Sequence, residues 1–149
     1  MYHKDYILRM IEMIGQLIAA ILGKIRKGEY TTAEEQISNL YYDVLREDAS
    51  FFRNLPENQL TSKLLENHNY TNGHLEILAE LFNAEAELES ARGNYGLSLE
   101  YSRKSLILFE YIDTEQRTYS LERINKMEGI RKRIDELAGS GEQGAGSKE

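Results

Sequence analysis

The sequence predicts an all-α fold of about six helices paired as antiparallel hairpins, and three features carry that prediction. Apolar residues recur at three- and four-residue spacing along most of the chain, the mark of helices with one buried face. The only proline is Pro56, and apolar and polar residues almost never alternate, so strands have no support. The third feature is a repeated junction. Gly28-Glu29-Tyr30-Thr31-Thr32-Ala33 stands between two helical patterns, and Gly93-Asn94-Tyr95-Gly96-Leu97-Ser98 does the same further on. Each has the form Gly-x-Tyr-x-x-small. Glycine ends a helix with positive φ at little cost. Tyr30 and Tyr95 are expected to wedge a ring between the helices they join, and Ala33 and Ser98 to let the backbones approach.

The first helix is expected from about 3 to 27, with Ile7, Met10, Ile11, Ile14, Leu17, Ile18, Ile21, Leu22 and Ile25 in register. The second begins after Tyr30. Thr32 and Glu35 fit a capping box, and Ala33, Ile37, Leu40, Tyr41, Val44 and Leu45 form its buried stripe, with continuation to Phe51-Phe52 before Pro56. A short third helix, about 57 to 67, has Pro56 at its first position, where a missing N–H costs nothing. His68 to Gly73 reads as a loop. The fourth helix, about 74 to 92, carries Leu75, Leu78, Phe82, Leu88 and Ala91. The fifth, about 95 to 113, carries Leu97, Leu99, Tyr101, Leu106, Leu108 and Phe109. The sixth follows Asp113-Thr114 and reaches about 137, with a narrow seam of Ile124, Met127, Ile130, Ile134 and Leu137 like that of a coiled coil. Residues 1–138 therefore make one domain. Residues 139–149 are Gly, Ser, Glu, Gln, Lys and Ala, a composition that buries nothing and is expected to stay disordered.

Charge and composition narrow the function. The net charge of −7 argues against non-specific nucleic-acid binding, which needs clustered Lys and Arg. There is no cysteine, so thiolate metal sites and cysteine nucleophiles are excluded, and a reducing, cytoplasmic setting is expected. Ile14 to Leu22 is apolar apart from Gly15 and Gln16, but Asp5 and Glu12 precede it and no small-x-small site follows. It is shorter than the roughly 20 residues a bilayer needs, so a core helix is expected, with no membrane partner.

Three histidines are present: His3, His68 and His74. His68 and His74 flank Asn72-Gly73 and could meet, with Glu66 and Glu76 nearby, but their spacing fits no metal-ligand pattern; solvated loop histidines are the simpler reading. Glu85 and Glu89 lie one turn apart and face the same way. Paired carboxylates can serve acid–base chemistry or hold a cation; pairing with Arg92, Arg103 or Lys104 is the simpler reading. No Gly-rich phosphate loop and no serine elbow occurs, and no cofactor is expected. Of the ten tyrosines, Tyr41, Tyr42, Tyr95, Tyr101, Tyr111 and Tyr119 fall in helical stretches and suit core packing or a peptide-binding surface.

Residues 79 to 112 resemble a tetratricopeptide repeat, a helix–turn–helix of about 34 residues. Phe82 and Ala86 fit its first helix, Gly93 and Tyr95 its turn, and Ser98, Tyr101, Lys104 and Ser105-Leu106 its second helix. Residues 14 to 47 match more loosely through Leu17, Ile21, Gly28, Tyr30, Ala33, Ile37 and Leu40. Glu85 and Glu89 depart from the pattern, which has Leu and Tyr there, and neither repeat ends in proline. The opening Asp5-Tyr6-Ile7-Leu8-Arg9-Met10-Ile11-Glu12 is also similar to the start of a family of short, uncharacterised bacterial proteins, which implies a bacterial source and brings no activity.

The repeat resemblance implies a short tetratricopeptide-like stack whose first helices line a concave face. That face would present Ile18, Leu22, Ile25 and Arg26 on the first helix and Glu80, Asn83, Glu87 and Ser90 on the fourth. Repeats that clamp a peptide carboxylate use Lys, Arg and Asn, so the glutamates argue against that mode. The leading expectation is a non-enzymatic interaction or scaffold module holding a partner helix or peptide in a groove. One alternative is a small helical enzyme or metal protein using Glu85 and Glu89. Another is a structural homodimer, built through the first helix or the seam of the sixth.

Overall fold

The computed structural model describes residues 2–116 and 120–148, with side chains described for 8–66, 68–116 and 120–139. Among them are seven α-helices: α1 (Tyr2–Arg26), α2 (Tyr30–Leu45), α3 (Ala49–Arg53), α4 (Leu60–Asn67), α5 (Asn72–Ala91), α6 (Tyr95–Gln116) and α7 (Leu121–Lys148), with one 3₁₀ turn at Glu57–Gln59. No strand occurs among the described residues. The all-α prediction is met.

The two glycine junctions fold alike. Gly28 has φ 82° and Gly93 has φ 85°. After α1, the Gly28 N–H reaches the Ile25 carbonyl at 3.0 Å and the Glu29 N–H the Lys24 carbonyl at 2.9 Å. After α5, the Gly93 N–H reaches Ser90 at 3.1 Å and the Asn94 N–H reaches Glu89 at 2.8 Å. Both are Schellman closures, which satisfy the orphan carbonyls of a helix end and reverse the chain. A Cβ at either glycine would meet open space, so the requirement is for left-handed backbone, not for room.

The small residues after each junction hold the hairpins close. Ala33 is fully buried between α2 and the core. On α6, Ser98 donates to the Ala86 carbonyl and Ser105 to the Ala79 carbonyl, each at 2.8 Å. The tyrosines behave differently from expectation. Tyr30 is half-buried against the core, whereas Tyr95 is exposed. Tyr95 opens α6, and the adjoining Gly96 and Leu97 are exposed as well, so the ring does not wedge the hairpin as its position predicts.

The hairpins α1–α2 and α5–α6 stack through α5, which packs against α1, α2 and α6; α7 packs on α6. Tyr41, Phe52, Phe82 and Phe109 are the largest fully buried rings. The linking segment covers one side of this core. Tyr41 and Phe52 stack at 5.3 Å, and Leu60 and Leu64 are fully buried.

Several boundaries differ from the sequence reading. No side-chain cap precedes α2, which starts at Tyr30; the Schellman turn has already aimed the chain, so Thr32 and Glu35 lie inside the helix. Arg46, at φ 63°, ends α2, and Phe51-Phe52 belong to a separate helix. Pro56 precedes the 3₁₀ turn, and α4 begins only at Leu60. The capping box that forms lies at the start of α5, with Thr71 as cap and His74 as its partner. Ser120 caps α7 by accepting the Arg123 N–H at 3.2 Å. α7 continues through 139–148, where the composition predicts a disordered tail. A helix already nucleated extends by one backbone hydrogen bond per residue, without the apolar residues that segment lacks.

Candidate binding cleft

Four helices border a cleft of about 540 Å³. On α1, Ile11, Glu12, Gly15, Gln16 and Ala19 form one wall, a strip at three- and four-residue spacing that faces one direction. Glu76 and Glu80, one turn apart on α5, and Phe109 of α6 also line it, and Glu122, Arg123 and Lys126 of α7 complete it. The volume falls within the range of ordinary ligand pockets.

The two cations of the cleft are engaged from within. Lys126 lies 2.6 Å from Glu80 and 3.8 Å from Glu122. The Arg123 guanidinium is buried, 3.1 Å from Asp113 and 3.3 Å from the Gln116 amide oxygen. The Glu76 carboxylate differs: it makes no hydrogen bond or ion pair with another described residue. Burial, with the neighbouring Glu80 and Glu122, pushes its pKa above the usual value of 4.5 against the opposing pull of Arg123 and Lys126.

The residues expected to form a groove lie elsewhere. Ile18 and Ile25 are in the core and Leu22 packs against it, while Arg26 is exposed at the end of α1. Glu80 is the only one of the eight that lines the cleft. Asn83 and Glu87 accept from Arg133 of α7, Glu87 at 2.6 Å, and Ser90 is half-buried. The correction follows from two facts. The apolar strip on α1 is the one the core needs, and α7 lies over the outward strip of α5. The cleft uses the neighbouring strip of α1, where Gly15 and Ala19 leave space. Those two small residues, one turn apart, are the signal that could have located it; Arg133 gives no such signal, being one basic residue in a charged stretch.

Glu85 and Glu89 lie on another side of α5. Glu85 is buried and accepts from Arg53 Nε at 2.6 Å, Arg53 Nη2 at 3.1 Å and the Tyr41 hydroxyl at 3.1 Å. Burial and the adjacent Glu85 push the Tyr41 phenol well above its usual range. Arg53 also reaches Ser38 at 3.2 Å. Glu89 pairs with Arg92 at 3.6 Å and accepts from Asn94 at 2.8 Å. The expected Arg92 partner is thus found for Glu89, but Glu85 takes Arg53 from the linking segment. Lys104 is buried and donates instead to the Arg53 carbonyl at 3.0 Å, with its ammonium over the Phe82 and Tyr101 rings. Both carboxylates are therefore engaged by their own chain.

His68 and His74 do not meet directly, because Tyr70 contacts both rings, at 5.5 and 5.0 Å. His3 and Tyr119 lie outside the described side chains. Among the described residues no three His, Cys, Asp or Glu side chains are grouped to hold a metal ion, and no helix is long and apolar enough to cross a membrane. Compared with protein-family models, curated proteins and solved structures, the chain matches none of them.

Proposed function

We propose that this chain is a non-enzymatic protein-interaction module that holds a segment of a partner protein in the cleft between α1 and α7. The observation that carries this reading is the cleft itself, with small and apolar side chains beside Glu12 and Gln16 on its α1 wall and the half-buried Glu76 carboxylate on α5. The packing order supports it. α1 and α5 are the first members of the two glycine-joined hairpins, and first helices line the peptide-binding face in the repeats that residues 79 to 112 resemble. The cysteine-free composition suits a bacterial cytoplasm. Ala19→Trp would fill the cleft from the α1 wall. Proteins retained from the native cell by the wild-type chain should be lost with this variant, provided its helical circular dichroism is unchanged. The same proteins on both baits would refute the reading.

A structural homodimer is the second reading, favoured by one observation. Met13 and Leu17, one turn apart on α1, are 54% and 43% exposed, with Leu8 exposed on a different side of the same helix. The seam of α7 no longer supports it, because Met127 and Ile130 are buried in the core of their own chain and Ile134 packs against it. Light scattering at micromolar concentration separates the cases: a monomer mass throughout rejects the dimer.

A further inference from the structure

We infer that the cleft selects a partner segment carrying a lysine or arginine among apolar residues, with the cationic group received by Glu76. The inference rests on the cleft being the binding site and goes further by fixing the chemistry of what enters it. Carboxylates outnumber cations among the lining side chains: Glu12, Glu76, Glu80 and Glu122 against Arg123 and Lys126. The cations are already answered, Lys126 by Glu80 at 2.6 Å and Arg123 by Asp113 at 3.1 Å. An acidic ligand would have to break one of those pairs. A basic ligand breaks none, because the Glu76 carboxylate makes no hydrogen bond or ion pair with another described residue.

The energetics point the same way. Glu76 is half-buried, and a carboxylate that gives up part of its hydration without gaining a donor is held at a cost. Its pKa lies above the usual value because burial and the neighbouring Glu80 and Glu122 outweigh Arg123 and Lys126, so a further cation would relieve both the burial and the repulsion. An entering ammonium or guanidinium supplies the missing donors, and such charge-assisted bonds are stronger than neutral ones. Ile11, Ala19 and Phe109 offer apolar contact for the side-chain stem or its neighbours, which is how long cationic residues bury their methylenes. The net charge of −7 would also draw a basic segment toward this chain before contact.

The test begins with a phage-displayed library of random peptides selected on the full chain. Selected peptides should lose binding to Ala19→Trp and should share one Lys or Arg flanked by apolar residues. One such peptide, made synthetically with a fluorescent label, is then titrated by anisotropy against the wild type and Glu76→Gln, alongside its Lys/Arg→Gln counterpart. Either change alone should weaken binding roughly ten- to a hundred-fold, and the second change should add little once the first is made. Lowering the pH toward the raised Glu76 value should weaken the basic peptide alone. Cleft-dependent peptides without a basic residue, or indifferent to Glu76→Gln, would overturn this inference and leave the cleft as the binding site. Failure to select any peptide that Ala19→Trp excludes would overturn both. The peptide substitution cannot disturb folding, so a Glu76→Gln chain of altered stability does not blur the result.

Discussion

Glu85 and Glu76 sit on the same helix, one buried and the other half-buried, and the chain treats them in opposite ways. Glu85 receives two bonds from Arg53 and one from Tyr41. The Glu76 carboxylate receives none from another described residue, and desolvation raises its pKa. The difference lies in what the neighbouring segments bring. The segment between α2 and α5 delivers an arginine to one side of α5, whereas α7 spends Lys126 and Arg133 on Glu80, Glu87 and Asn83. A satisfied buried charge specifies how helices dock; an unsatisfied one remains available to something outside the chain. Changing each carboxylate should therefore give stability effects of opposite sign.

The largest expected effect is at Glu85. Glu85→Ala leaves the Arg53 guanidinium and the buried Tyr41 hydroxyl without their acceptor, and removing one partner of a buried pair typically costs about 3–5 kcal/mol. The linking segment should loosen as well, since Arg53 is its charged tie to α5. Urea denaturation of the variant measures the loss. A cost below about 1 kcal/mol would mean that Arg53 is solvated in its absence and that aromatic packing holds the segment alone.

That contact also marks the limit of what the sequence conveys. Both glycine junctions, the helical stripes and the small positions Ala33 and Ser98 were legible because each depends on residues close in the chain. So was the pairing of Glu89 with Arg92, which lie within one turn. Arg53 meeting Glu85 was not, since nothing local tells a basic residue after Phe51-Phe52 which distant helix it will face. The exposed Tyr95 shows the same limit: its matched position after glycine gave the turn, while the direction of the ring depends on what α6 packs against. The cleft was half legible. A concave face lined by first helices points to α1 and α5, but the strip of each helix left open is decided by where α7 lies.

An intermediate effect is expected at the start of α5. His74 Nδ1 accepts the Thr71 N–H at 3.1 Å while the Thr71 hydroxyl accepts the His74 N–H at 3.4 Å. That reciprocal cap needs Nδ1 unprotonated, and a charged imidazole would also oppose the positive end of the helix. Burial holds the His74 pKa below its usual 6.5. Because the folded value is the lower one, the stabilisation is complete above about 6.5 and is lost as pH falls through the folded value. A cap of this kind contributes about 0.5–2 kcal/mol. Denaturation midpoints from pH 7.5 to 5 should fall more steeply in the wild type than in His74→Gln, whose amide can serve the same box without titrating. Parallel slopes would assign the acid sensitivity elsewhere.

The smallest effect, and the sharpest on the comparison, belongs to Glu76. Its folded pKa lies above the usual value of 4.5, so the sign reverses. Stability linked to this group is complete below the unfolded pKa, where it is protonated in both states, and declines as pH rises through the folded value. At neutral pH the ionised carboxylate is thus a liability to the fold. Glu76→Gln removes the charge, keeps the shape, and should leave the chain unchanged or slightly more stable, by less than about 1 kcal/mol, the ordinary range for a partly exposed position. Because Arg123 and Lys126 keep Asp113 and Glu80 as partners, the substitution strands neither. A clear loss of stability would mean that Glu76 is structural, like Glu85, and would remove the reason to reserve it for a ligand. A neutral or stabilising result would identify it as a charge retained at no benefit to folding, as a residue kept for binding is expected to be.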